Sequence, residues 1–467
     1  MISLKEACGV FGAISKTPYD ILQDVHYGLF ALQHRGEESA GFAIANGSGV
    51  HGYRNMGSVA EVMTQDVMNR FGNSSIAIGH VRYSTTGGSN IANAQPIVFK
   101  GRVGDVALAH NGNIFNSANL REFLIEKKVL FQTTIDSEVI AALINYNYKG
   151  SIVQAVTSTA KMLRGSYALV IMSEQGLVAV RDPFGIRPLV MGEKDDGTII
   201  FASESPALDV VGARYVRDVE AGEIIICSHK KGLESFYMDT ERDNRMCSFE
   251  YVYFARFDSI INGRSVYDAR IKAGELLAEN HYVDADLVAP VPDTASVAAS
   301  AYSHKTGIPY LDVLSKNRYS GRTFIQPEQH LREIMVKMKL SAIKDNVQGK
   351  RIVLIDDSIV RGTTSKKIIG MLKEAGAKEV HLRITSPPVK HACYFGIDIQ
   401  NEKELIGANH SEKEIAEILG CESVEFLTLD ELVTMCGKEN SGICDGCFSG
   451  CYPFEVKSKY IDKLRME

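Results

Sequence analysis

Apolar positions along the chain fall into two regimes. From residue 8 to 227, short β-like runs at 76–78, 168–172 and 199–202 are separated by glycine-rich turns, a pattern of strands joined by tight connections. Helical spacing alternates with them. Residues 20–33 place apolar side chains at helical intervals, and 135–145 opens on Asp136-Ser137-Glu138, acidic residues suited to a helix start. The segment 228–246 (SHKKGLESFYMDTERDNRM) is polar and charged and predicts a domain boundary, placed at residue 235. Beyond it, apolar runs at 286–290, 352–355 and 380–384 read as buried strands, with 365–375 as a crossover helix, which predicts a parallel sheet. Between Lys316 and Gln348 a polar stretch rich in Arg and Lys is longer than a scaffold loop requires and predicts a lid.

The 467 residues suit two to three domains, each able to bury its own core. With 45% hydrophobic and 23% charged residues the chain is of ordinary globular composition, and 40 Gly plus 12 Pro are too few for a low-complexity polymer. The net charge of −6, without a basic block, argues against generic nucleic-acid binding. No apolar run approaches the ~18 residues of a membrane helix. Lys5 and Glu6 interrupt the apolar stretch that a signal peptide, or a lipid-attachment signal before Cys8, would need, so a cytoplasmic location is expected. Nine cysteines, an odd number, point to free thiols, metal ligands or a nucleophile rather than a disulfide framework.

Cys8 precedes Gly9-Val10-Phe11-Gly12, small and apolar residues that let a chain terminus enter a sheet. Viewed alone it reads as a buried core cysteine. A thiol nucleophile needs a base, and an α-amine is partly unprotonated at neutral pH, so removal of residues 1–7 would give Cys8 both groups. Attack on a side-chain amide creates an oxyanion that demands N–H donors beside the sulphur. Four further motifs share this half: Gln33-His34-Arg35-Gly36, Gly79-His80-Val81-Arg82-Tyr83, His110-Asn111-Gly112-Asn113 and Ile135-Asp136-Ser137-Glu138. With the stretch Arg181 to Leu189, they resemble the glutaminase domain of the N-terminal-nucleophile amidotransferases. That resemblance implies a four-layer αββα fold, an oxyanion hole at Asn111 and Gly112, and an Arg82 and Asp136 pair that binds the α-carboxylate and α-ammonium of glutamine. His34 and His80 read as structural, not as a dyad with Cys8.

In the second half a predicted strand leads into Asp356-Asp357-Ser358-Ile359-Val360-Arg361-Gly362-Thr363-Thr364-Ser365 and then a helix, an anion-binding arrangement. No Gly-Lys-Ser/Thr follows, so it is not a Walker loop. The acid pair suits ribose hydroxyls or Mg²⁺, and an acidic receiver pocket is a further reading. Residues 354–364 resemble the phosphoribosylpyrophosphate (PRPP) signature of type I phosphoribosyltransferases. The two halves in this order resemble the PRPP-dependent glutamine amidotransferase family, an α/β and α+β two-domain architecture whose members catalyse the first step of de novo purine synthesis. Val291 to Thr294 and Lys316 to Phe324 extend the match. The resemblance implies Mg²⁺ at Thr294, Asp356 and Asp357, a 5-phosphate cradle at Arg361, Gly362, Thr363, Thr364 and Ser365, and pyrophosphate contacts at Lys316 and Arg322. It also implies feedback inhibition by purine nucleotides and a homotetramer.

Cys444-x-x-Cys447 has a metal-ligand spacing, yet one pair cannot close a four-cysteine site, and zinc, an iron-sulphur cluster and unliganded thiols are all open on spacing alone. The subgroup of the family that carries a [4Fe-4S] cluster and a propeptide has ligands at positions matching Cys247, Cys393, Cys444 and Cys447, and a propeptide matching residues 1–7. Cys451 departs from that pattern. Two rival readings keep the same motifs: a glutaminase joined to a different acceptor domain, and a non-enzymatic nucleotide sensor or electron carrier.

Overall fold

The computed structural model describes residues 8–83, 89–317, 340–399, 401–437 and 442–454. Its first half is built on two antiparallel sheets stacked face to face. One holds seven strands in the spatial order Arg214–Asp218, Val190–Glu193, Ile199–Ala202, Gly9–Tyr19, Ser74–Arg82, Ser39–Ala45, Val50–Met56. The other holds six: Gly232–Tyr237, Glu223–Ser228, Gly176–Arg181, Gly165–Ser173, Gly104–Ile114, Ile97–Gly101.

Alternation along the Gly9–Tyr19 strand assigns its faces. Val10 and Ile14 join Ile78, Ala109, Val170 and Leu177 between the sheets, whereas Phe11 and Ala13 join Ile21, Val25 and Leu29 of the Ile21–Ala31 helix on the outside. On the far face the Asp136–Asn147 and Ile152–Met162 helices bury Val139, Ile140, Leu143 and Val156 against Leu108 and Leu169. The layers therefore run helix, sheet, sheet, helix. At Gly12 the sheets come so close that a Cβ would stand 2.5 Å from Val170 Cγ1.

The helix expected over 20–33 ends at Ala31, and a separate turn, Gln33–Arg35, follows. Gln33 closes that turn, donating from Nε2 to the Gly36 carbonyl at 2.6 Å and accepting from Val59 N at 2.7 Å. The polar stretch 228–246 is not all connection. Gly232–Tyr237 is the edge strand of the six-stranded sheet, and its alternation is invisible because neither face is buried.

The second half carries a four-stranded parallel sheet in the order Leu287–Pro290, Arg351–Asp356, Glu379–Ile384, Ser423–Phe426. Both faces are covered: Leu287, Ile352 and Leu354 pack with Ile368 and Leu372 of the Thr363–Glu374 helix, while Val288, Val353 and Ile355 pack with Ala273, Leu277 and Tyr302. Burial on both sides explains the unbroken apolar runs. The stretch predicted as a lid, Lys316 to Gln348, opens at the end of the Leu314–Lys316 strand, which pairs with Leu340–Ala342 inside it, and closes on the short Lys344–Val347 helix; residues 318–339, Arg322 among them, lie outside the described residues.

Candidate active sites

Cys8 lies just before the strand register Gly9 to Val81, which sets it beside Arg82 and Tyr83. It is buried, and its Sγ donates to the Tyr83 carbonyl at 3.4 Å. Burial pushes the thiol above its ordinary pKa; the Tyr83 hydrogen bond and the Arg82 charge oppose this, while Asp136 and Glu38 add to it. The three charges that act on the sulphur thus include both residues expected to grip glutamine. Arg82 Nη1 pairs with Glu38 at 3.4 Å. Asp136 accepts from Ile114 N at 2.9 Å, with His110 Nδ1 3.6 Å from its other oxygen. Burial drives the Asp136 carboxyl upward, but His110 and its backbone donors outweigh it and leave the group below the usual range, ionised at neutral pH.

His80 ties this cluster to the second sheet by donating from Nε2 to the His110 carbonyl at 2.9 Å. Burial holds His80 near a pKa of about 3, so it stays neutral. His34 Nε2 is engaged by Glu204 at 2.7 Å. The Cys8 thiol is hydrogen-bonded to the Tyr83 carbonyl and not to either histidine. Beside His110, Asn111 is 1% exposed, and both its Nδ2 and its Oδ1 lack a hydrogen-bond partner. A buried amide with four unused bonding positions is a costly feature unless a ligand completes it. The next residue, Gly112, has φ of +150°, and a Cβ there would run into the Ser166 carbonyl of the neighbouring strand. Cys8 feels the Arg82 and Asp136 charges, and the unpaired Asn111 amide belongs to the residue after His110, which meets Asp136.

Arg35 lies in the Gln33 to Gly36 motif, but its partners Glu204 and Glu250 carry no sequence signal of their own. Arg35 Nε donates to the Cys8 carbonyl at 3.1 Å, and its terminal nitrogens meet Glu204 at 2.5 Å and Glu250 at 2.8 and 3.0 Å. The Gln33 to Gly36 motif was the only sequence signal, and it said nothing of Glu204 or Glu250.

The second locus sits at the carboxyl ends of the parallel strands, where open α/β sheets bind ligands. Asp356 ends its strand and Asp357 follows; Asp356 accepts from Asp357 N at 2.9 Å and Asp357 from Ser358 Oγ at 2.7 Å. Burial raises both carboxyls, and for Asp356 the Asp357 charge raises it further. A buried carboxyl beside a half-buried one, both raised in this way, is a donor type that a hard cation satisfies. Val291 N donates to the Ile355 carbonyl at 2.8 Å, bringing the loop that carries Thr294 alongside the pair. Lys316 Nζ joins the same loop through Asp293 at 2.5 Å. Gly362 adopts φ of +72° as the N-cap of the helix that Thr363, Thr364 and Ser365 begin, while Arg361 Nε pairs with Glu404 at 2.7 Å. Backbone N–H groups at this helix start suit a phosphate.

The four cysteines expected as cluster ligands come together from three distant stretches. Cys247 and Cys444 face each other in a short parallel pairing, Cys447 follows in the Gly446–Ser449 turn, and the Cys447 carbonyl accepts from Lys390 N and His391 N at 2.9 and 3.0 Å, next to Cys393. All are free thiols. Burial raises each, Cys247 to about 12, and Cys444 and Cys447 feel the charges of the others. Among the described residues no group of three or more His, Cys, Asp or Glu is arranged to hold a metal ion. Cysteine thiolates are the ligand type of both four-cysteine zinc sites and iron-sulphur clusters, so the side chains present suit either group.

Among the described residues no helix is long and apolar enough to cross a membrane. A glutamine amidotransferase domain model matches residues 80–210 and a phosphoribosyl transferase domain model residues 264–387. The chain is 46% identical to an amidophosphoribosyltransferase of Methanocaldococcus jannaschii over 97% of its own length and 99% of the relative, and 44% identical to that of Bacillus subtilis over 97% and 95%. It superposes with a TM-score of 0.90, at 43% identity, on the glutamine PRPP amidotransferase of B. subtilis complexed with ADP and GMP, covering 97% of this chain and 98% of that one. A second solved structure, described as the allosteric regulatory enzyme of purine biosynthesis, gives 0.91 at the same identity. Likeness of this degree across both halves and nearly the full length of each relative means that the chain belongs to the amidophosphoribosyltransferase family.

Proposed function

We propose that the protein hydrolyses glutamine in its first half, residue 8 to the end of the Gly232–Tyr237 strand, and passes ammonia to the second half, where it displaces pyrophosphate from C1 of PRPP. The products are glutamate, pyrophosphate and 5-phosphoribosylamine, the first step of purine synthesis. Removal of residues 1–7 frees the Cys8 α-amine, which takes the thiol proton as sulphur bonds to the amide carbon. Asn111 Nδ2 and the Gly112 N–H donate to the resulting oxyanion, Arg82 holds the α-carboxylate and Asp136 the α-ammonium. The intermediate collapses as the Cys8 ammonium returns its proton to the leaving nitrogen, and water hydrolyses the thioester. In the second half Arg361 to Ser365 receive the 5-phosphate, and Lys316 and Arg322 meet the pyrophosphate. Thr294, Asp356 and Asp357 would hold Mg²⁺, which when bound balances the charge of the departing pyrophosphate.

The observation that carries this reading is the unpaired, buried Asn111 amide in the locus where Cys8, Arg82 and Asp136 act on one another. Three buried thiols and the half-buried Cys393, drawn from separate stretches, support placement in the iron-sulphur, propeptide-bearing subgroup, with a [4Fe-4S] cluster on Cys247, Cys393, Cys444 and Cys447 as a structural tie for the C-terminal segment. Purine nucleotides as feedback inhibitors are supported by the relative solved with ADP and GMP. A homotetramer and a cytoplasmic location complete the proposal. The test is Cys8→Ala: glutamine-dependent synthesis disappears while ammonia-dependent synthesis survives, and equal loss of both refutes the division of labour. Intact mass of active, anaerobically purified enzyme reports whether residues 1–7 are gone.

A further inference from the structure

Four charged side chains, Arg35, Arg187, Glu204 and Glu250, are completely buried where the two halves meet. Buried ion pairs contribute little net stability, because desolvation offsets their attraction, so their value lies in the geometry they impose. Here the geometry ends on the nucleophile. Glu250, from the second half, takes two hydrogen bonds from Arg35: Nη2 to Oε1 at 2.8 Å and Nη1 to Oε2 at 3.0 Å. A bidentate clamp fixes the plane of a guanidinium. With that plane fixed, Nε has one direction in which to donate, and it donates to the Cys8 carbonyl at 3.1 Å.

Glu250 is itself rigidly mounted. It begins the one-turn π-helix Glu250–Phe254, closed by Ala255 N donating to the Glu250 carbonyl at 3.1 Å. The buried Arg270 laces the turn from behind, donating to the carbonyls of Tyr251, Tyr253 and Ala255 at 3.0, 3.3 and 2.8 Å. Arg187 meets Glu250 Oε1 at 3.3 Å and anchors the other side by donating twice to the Phe395 carbonyl.

We infer that Glu250 is a positioning residue for glutamine hydrolysis: acting through Arg35, this carboxylate of the second half orients the residue that supplies both nucleophile and base. The inference rests on the reading of Cys8 as nucleophile. Glu250 touches no substrate; it holds the frame in which the Cys8 amine and sulphur face each other.

The experiment compares Glu250→Gln, Arg35→Lys and Cys8→Ala in the full-length, processed enzyme. Glu250→Gln keeps shape and one acceptor oxygen but loses the clamp; Arg35→Lys keeps the charge but removes the Nε donor. Each should lower kcat for glutamine hydrolysis about 10- to 100-fold, the cost of slight misplacement, while the KM for glutamine stays within about threefold. The rate of Cys8 alkylation by iodoacetamide should fall in parallel, and ammonia-dependent synthesis should stay within about twofold of wild type. Loss of glutamine- and ammonia-dependent rates in equal proportion, or unchanged hydrolysis, overturns the inference. If Glu250→Gln does not fold, Arg35→Lys decides alone. Cys8→Ala separates the two levels: inactive Cys8→Ala with wild-type-like Glu250→Gln sinks only the positioning role, whereas hydrolysis surviving in Cys8→Ala sinks the reading beneath it.

Discussion

Asn111→Leu should make the free protein more stable and the glutaminase nearly dead. Both polar atoms of the Asn111 side chain are buried without partners, and each such atom costs about 1–3 kcal/mol. Water that enters the pocket recovers part of this, so a near-isosteric apolar side chain should gain about 1–3 kcal/mol. For a unit the size of the first half that is about 2–4 °C in Tm per kcal/mol. The same change deletes an oxyanion donor, worth about 10²–10³ in kcat. Calorimetry without glutamine and a glutamate-release assay read the two effects on one sample. A lowered Tm would mean that the amide is satisfied in the free protein and not reserved for a reacting oxygen. Retained hydrolysis would remove Asn111 from the oxyanion hole.

The acid pair gives a pH-dependent prediction. Asp356 and Asp357 titrate above their unfolded values, so without metal their contribution to stability is fully present below the ordinary carboxyl pKa and is lost as pH rises through the raised ones. The metal-free protein should lose Tm over that rise and Asp356→Asn should flatten the loss; identical Tm-against-pH curves would contradict this. Asp356→Asn should also weaken PRPP-dependent synthesis while leaving glutamine hydrolysis measurable. For the late cysteines, Cys444→Ser should abolish bound iron and visible absorbance and expose the C-terminal segment to limited proteolysis, whereas Cys451→Ser should retain iron. Iron lost from Cys451→Ser would reassign the fourth ligand.

Legibility in the sequence followed burial. Strands covered on both faces, such as Arg351–Asp356, announced themselves as unbroken apolar runs, and the acids ending that strand could be read with it. The edge strand Gly232–Tyr237 could not, because exposure removes the alternation that marks a strand. Within the first site, Cys8, Arg82, Asn111, Gly112 and Asp136 each sat in a local motif. Arg35 meets Glu204 and Glu250 across 169 and 215 positions, and no local pattern encodes a partner at that remove. Only the fold brings them together. For Cys247 and Cys444 spacing alone marks only the Cys-x-x-Cys pair; the family resemblance adds Cys247, and the fold supplies the two-residue pairing that sets it opposite Cys444.

Contacts between the halves also bear on the residues proposed for glutamine hydrolysis. The strand bearing Asn111 and Gly112 is gripped from behind by the segment after Cys393. Asn113 Nδ2 donates to the Tyr394 carbonyl at 2.9 Å, and Ser166 Oγ to the Phe395 carbonyl at 2.8 Å. The same Phe395 oxygen receives Arg187 Nε and Nη2 at 3.1 and 2.6 Å. Gly396 is pressed close enough that a Cβ there would lie 3.4 Å from the Gly112 carbonyl carbon. One carbonyl of the second half thus accepts three donors of the first, and its neighbours buttress the two residues assigned to the oxyanion. On the proposed reading ammonia-dependent synthesis needs no Cys8, whereas glutamine hydrolysis depends on both halves, because the strand assigned to the oxyanion and the Cys8 backbone are each held through contacts from the second half.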